Sequence, residues 1–429
     1  MKTEIAPMGM AGVVLLACVV TAGAVRTGGK PIEIGVAGRA NANASIAASG
    51  SFVGIAWAAR TKDGVTDVYA ATSRDGGRSF RAPVRVNRVA GEASVSGEQP
   101  PRIGLVPGRA GAPSLVVMWT AKSSAGTRLV SARSTDGGQS FGPATAVPGS
   151  HATGSRGWEA MAIGAKGEPL AVWLDHRAVP ARPAGAAASG GHQHGAMPQQ
   201  TDGAARAQLS QIFFARLNDP TSARSIAPGV CYCCKTSLAI GADGSIVAAW
   251  RHVYPGNVRD IALTKSSDGG RTFAPPIRVS EDDWVLNGCP ENGPAVAVDQ
   301  TNAVHVVWPT LIRGSGGGET LALFYAVSRD GQRFTRRQEI PTDGVPRHPQ
   351  VVVSSAGTVT VAWDEELEGA RRIVLARGTI DYGNPVRFTR EPVTEEAGAY
   401  PVIAPVADGV LVAWTSGSAA NSILRVAHQ

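Results

Sequence analysis

The phrase SRDGGRSF, Ser73 to Phe80, returns as STDGGQSF at 134–141, as SSDGGRTF at 266–273 and in degenerate form as SRDGQRFT at 328–335. A repeated supersecondary unit decides the architecture before any other residue is read. In the first three copies Asp75, Asp136 and Asp268 are placed to accept hydrogen bonds from nearby backbone N–H groups, and the paired glycines that follow tolerate positive φ. Each phrase therefore predicts a tight hairpin, with Phe80, Phe141 and Phe273 opening the next strand and packing between sheets. The aspartates are assigned to stapling turns, not to chemistry.

A longer period surrounds the hairpins. Trp57, Trp119, Trp173, Trp250, Trp308, Trp363 and Trp414 end apolar runs such as LVVMW, IVAAW and VTVAW, at spacings of 62, 54, 77, 58, 55 and 51 residues. Runs of that kind suit strands covered on both faces. Seven markers predict an all-β chain folded as a β-propeller of seven four-stranded blades over 31–429, with six blades as the alternative. The last unit supplies three strands only, and the segment PIEIGV at 31–36 is its expected fourth, closing the ring and removing an open edge.

The four phrases resemble the Asp-box of the sialidase and BNR-repeat proteins, Ser-x-Asp-x-Gly-x-Thr-Trp or Phe. The resemblance covers most of the chain and implies the fold more strongly than an activity. It also implies where a glycoside hydrolase would keep its groups: Glu159 or Asp175 as acid/base, Tyr400 as nucleophile, and Arg177, Arg251 and Arg347 as a clamp for the substrate's anion. The departures weigh more. Neither Gly38-Arg39-Ala40 nor Pro101-Arg102-Ile103 matches the Arg-Ile-Pro that supplies the first substrate arginine of a sialidase. An alternative assignment pairs Arg177, Arg251 and Arg259 with Asp175, Asp260 or Glu159 on loop surfaces.

Composition agrees with many short strands: 52 Gly and 28 Pro among 429 residues, and 6% aromatics. A formal charge of +7 comes from dispersed arginines with no basic run, which argues against nucleic acid as a partner. Lys2, the apolar stretch 10–20 and Ala22-Gly23-Ala24 form an expected secretion signal over 1–24, so the protein is expected to be exported, periplasmic or secreted, as a monomer without a transmembrane span. Anchoring through an acylated Cys18 is the alternative. An Ala-, Gly-, Pro- and Gln-rich insertion at 178–207 is expected to be a flexible loop.

Strand direction sorts the loops. The segments after Trp173, Trp250 and Trp363 share one face with the loops leading into the blades, which carry Cys231, Cys233 and Cys234, then Cys289, Arg347-His348 and Tyr400. That face is the expected site for a small-molecule, glycan or protein ligand. The run VCYCCKTS and the neighbouring NGCPENGP allow a disulfide framework, or a copper or zinc site joined by His192, His194 and Met197 of the insertion. These runs resemble an exported subset of BNR-repeat proteins with the same cysteine cluster. The readings that follow are a ligand- or metal-binding propeller, a sialidase-type hydrolase, or a disulfide-stapled scaffold.

Overall fold

The computed structural model describes residue 1 and residues 30–108, 112–124, 126–180, 201–286, 288, 290–313, 317–381 and 384–429. The expected signal over 1–24 with Cys18, the His192, His194 and Met197 tether and Cys289 lie outside the described residues. Seven separate four-stranded sheets form the chain, each an antiparallel meander, and together they make a seven-bladed β-propeller. Blade 1 is typical, running Ala40–Ser49, Phe52–Arg60, Thr66–Ser73 and Val84–Arg85 from the channel outward. The ring closes as the sequence implies: Ile32–Ile34 pairs with Ile423–His428 as the outer strand of blade 7.

Seven apolar clusters hold the ring, one between each pair of neighbouring blades. The seven second-strand tryptophans are fully buried in or against them. Their indole N–H groups need acceptors there, and a residue two positions on often supplies one: Asp175 for Trp173 at 3.0 Å, Glu365 for Trp363 at 3.1 Å. On the opposite face the repeated phrases form the expected turns. Asp75 accepts from the backbone N–H of Arg78 and Ser79, both at 2.9 Å, and Gly76 and Gly77 take φ of 76° and 90°. Phe273 then packs edge-on against Phe214, ring centres 5.1 Å apart. The end of the insertion is ordered differently from a loop: Thr201–Leu209 is a helix, and its Ala207 is buried against the cysteine run.

Candidate functional site at the channel mouth

The innermost strands line a central channel, and four of them carry the same irregularity near one mouth. Register shifts lie between Ala42 and Ser45, Gly157 and Ala160, Arg347 and Gln350, and Ala399 and Val402. Inside each sits one non-glycine residue with left-handed backbone: Asn43 (φ 59°), Trp158 (53°), His348 (51°) and Tyr400 (55°). Bulges re-aim side chains, and left-handed non-glycine residues each cost about 1–3 kcal/mol, so their recurrence at one level marks a constructed site.

Two of the four meet. The His348 and Tyr400 rings lie 4.1 Å apart at 35°. His348 Nδ1 hydrogen-bonds Asp364 Oδ1 at 2.7 Å, and the Tyr400 backbone N–H donates to the same oxygen at 3.3 Å. His348 Nε2 faces Glu98 Oε1 at 3.9 Å, and Glu98 Oε2 accepts the backbone N–H of Lys235 at 3.1 Å. The Lys235 ammonium donates to the Pro349 carbonyl at 2.7 Å. All five side chains except Tyr400 are buried. Burial drives the Lys235 pKa down to about 8 despite the attraction of Glu98, and raises that of Tyr400, with Asp364 and Glu98 adding to the rise. The backbone of Gly97 lies so close beneath the tyrosine that a Cβ there would fall 2.0 Å from Tyr400 Cζ.

Tyr400 and Asn43 separate a small void of about 20 Å³ against this cluster from an open cleft of about 450 Å³ between blades 7 and 1. Arg371 stands at the rim of that cleft, its Nη1 3.8 Å from Asp364 Oδ2. Buried Asp364 Oδ2 and Arg102 Nη2 have no hydrogen-bond partner among the described residues, which is how a polar site prepared for a ligand or water looks.

The other expected site residues are dispersed. Glu159 is wholly buried, with Oε2 accepting from Thr120 at 3.1 Å; its backbone carbonyl accepts from Arg102, and burial raises its carboxyl pKa. Asp175 is enclosed by Arg156 (3.1 Å), Arg177 (2.8 Å) and Trp173, the pairing with Arg177 that the loop-surface assignment anticipates. Arg251 spends its guanidinium on the carbonyls of Asn292, Arg259 and Pro309. Arg347 leads into the His348 bulge, with a buried Nε that has no hydrogen-bond partner among the described residues. Glu98 and Lys235 carry no motif, and only ring closure reveals them.

The cysteine run joins the site through Lys235. The sulfurs of Cys231, Cys233 and Cys234 all lie within 4.8 Å of one another. Cys231 and Cys234 are free thiols, 3.6 Å apart, and the Cys233 sulfur lies 3.7 Å from that of Cys231. Arg259 aims Nη1 at Cys231 Sγ from 3.1 Å, so the three sulfurs, close enough together to share one metal ion, have a guanidinium beside them.

No protein-family model and no curated protein matches the chain in sequence. Among the described residues no helix is long and apolar enough to cross a membrane. Solved structures of similar shape include a polysaccharide lyase, ulvan lyase, bound to -[GlcA(1-4)Rha3S]- (TM-score 0.54, 11% identity, 92% of this chain and 95% of that one). An α-L-arabinofuranosidase from Fusarium graminearum with an iminosugar inhibitor gives a TM-score of 0.51 at 11% identity over 94% and 98% of the chains. An α-L-arabinanase from Penicillium chrysogenum with arabinobiose gives 0.50 at 12% identity over 91% and 93%. At these identities the likeness is one of fold.

Proposed function

We propose that the chain is an exported propeller that binds a saccharide bearing an acidic group at the channel mouth beside Tyr400, without cleaving it by a sialidase mechanism. The convergence of bulge residues on a buried His348–Asp364–Glu98–Lys235 cluster, behind a cleft of about 450 Å³, carries this reading. The Tyr400 ring offers a face for a sugar, and Arg371 at the rim offers a cation for its carboxylate or sulfate. Arabinan, arabinoside and ulvan in the names of the similar structures agree with a glycan ligand, although the shared fold assigns none.

Hydrolysis is disfavoured by the same geometry. Burial and two nearby carboxylates raise the Tyr400 pKa, opposing the phenolate that a nucleophile requires. Asp175 is consumed by arginine pairing and is not free to exchange protons. Calorimetric titration with a sialyl-oligosaccharide, a uronate oligosaccharide and a neutral arabino-oligosaccharide tests the proposal. Binding of an acidic member, weakened about tenfold or more by Tyr400→Ala, is the expected result, since a lost aromatic contact and its desolvated surroundings are worth 1–3 kcal/mol. Turnover of a fluorogenic sialoside that disappears in Tyr400→Phe would replace it with the hydrolase reading. No binding of any acidic saccharide would overturn it.

A further inference from the structure

The cysteine run carries chemistry that the saccharide reading does not use. Arg251 and Arg259 are each 1% exposed, so two guanidinium charges are buried beside the run. Their hydrogen-bond acceptors are neutral carbonyl and amide oxygens, with one exception, the Cys231 sulfur. A buried charge without a counter-ion is costly, and among those acceptors only Cys231 can become an anion. Arg259 is fixed toward it by the Leu286 carbonyl at 2.9 Å and the Asn257 amide oxygen at 3.2 Å. Cys234 is the other free thiol of the run, its Sγ 3.6 Å from that of Cys231, and both side chains are buried.

We propose that Cys231 and Cys234 bind one Cu(I) ion as a buried bis-thiolate, with Arg259 as its counter-charge. Sulfurs about 2.3 Å from one metal stand about 3.8 Å apart at a tetrahedral angle and about 4.6 Å apart when collinear with it. The pair at 3.6 Å therefore has to spread by no more than about 1 Å. Soft thiolates select Cu(I) and Zn(II) over harder cations, and ligand count and buried charge decide between these two. Cys233 has a partner of its own and is not counted as a ligand. The two remaining sulfurs fall short of the three or four protein ligands that Zn(II) takes, whereas Cu(I) is satisfied by two thiolates.

Charge points the same way. With both thiols protonated, the two guanidiniums leave the pocket with two positive charges. Binding of Cu(I) releases both thiol protons to water and forms a complex with one negative charge, so one positive charge remains; Zn(II) on the same two thiolates would leave two. Arg259 then donates to a coordinating sulfur, as outer partners of metal ligands commonly do. Ala207 and Val253 belong to the same buried cluster as the sulfurs and give them an apolar cover. Lys235 follows Cys234 directly and its N–H holds Glu98, so the ion braces the channel mouth without being part of it.

Anaerobic titration of the wild-type protein with Cu(I) buffered by bicinchoninate tests the proposal. The expected results are withdrawal of one Cu(I) per chain from the chelator, a higher thermal unfolding temperature and a sulfur-only shell in X-ray absorption. A roughly tenfold excess of Zn(II) is expected to leave the bound copper in place. Cys231→Ser and Cys234→Ser are each expected to abolish uptake. Arg259→Gln keeps both sulfurs and is expected to weaken uptake about ten- to a hundredfold, with an unchanged circular dichroism spectrum showing that the variant is folded. Wild-type protein that withdraws no Cu(I), or that takes Zn(II) in preference, would overturn the proposal without recourse to any variant. Uptake that persists in Cys231→Ser would overturn it too, by showing that other groups hold the ion.

Discussion

Trp363-Asp364-Glu365 shows how one residue's place on a strand decides its role. Successive side chains point to opposite faces; Glu365 shares the tryptophan's face and caps its indole, while Asp364 points to the other face, toward blade 7, and holds His348 and the backbone of Tyr400. In Trp173-Leu174-Asp175 the carboxylate occupies the indole-capping place, which explains why Asp175 is enclosed by arginines and Asp364 belongs to the mouth. Lys235 gives a test at this scale. Its pKa falls from about 10.5 to about 8 on folding, so between those values the unfolded chain holds the proton and the folded one does not. Its penalty is fully present below pH 8 and is relieved as pH rises toward 10.5, by at most about 3 kcal/mol. Urea unfolding at steps from pH 7.5 to 10 is expected to show that rise, and Lys235→Met to flatten it; equal slopes in both proteins would contradict the assignment.

At the scale of elements, the hairpins and second strands are legible in the sequence because their determinants are local. A turn needs Asp and Gly at fixed offsets, and a doubly covered strand needs an unbroken apolar run. Asp75 binds two backbone N–H groups and the hydroxyls of Ser73 and Ser79, and these bonds hold its pKa far below the usual carboxylate range. Because the turn is exposed, Asp75→Ala is expected to cost only about 1–2 kcal/mol in urea unfolding, with saccharide binding unchanged. A loss of binding would mean that the turn face takes part in function. The inner-strand bulges escape sequence reading for the opposite reason. Trp158 and Tyr400 are not residues that favour left-handed backbone, and only the closed ring imposes it there. The helix Thr201–Leu209 escapes likewise, since its Ala- and Gly-bearing sequence gains order by docking Ala207 on the cysteine run.

At the scale of the whole molecule, closure brings together residues that no local pattern connects. Lys235 reaches Glu98 across 137 residues and Pro349 across 114. The sequence places Tyr400, His348 and the cysteines on one face, by strand direction alone. It does not single out Glu98, which lies between blades, or Lys235, which is masked by the more conspicuous cysteines beside it. Seven inter-blade cores fix the angle at which these segments meet, and thereby the geometry of the mouth. Gly97 offers the most direct probe of that mouth, since the nearest atoms to a Cβ at this position all belong to the Tyr400 ring and hydroxyl. Titration of Gly97→Ala with the acidic saccharide that wild type binds, alongside its thermal unfolding, tests whether ring placement creates the pocket. Affinity reduced about tenfold or more with near-native stability is the expected result, and unaltered affinity would contradict a binding site at Tyr400.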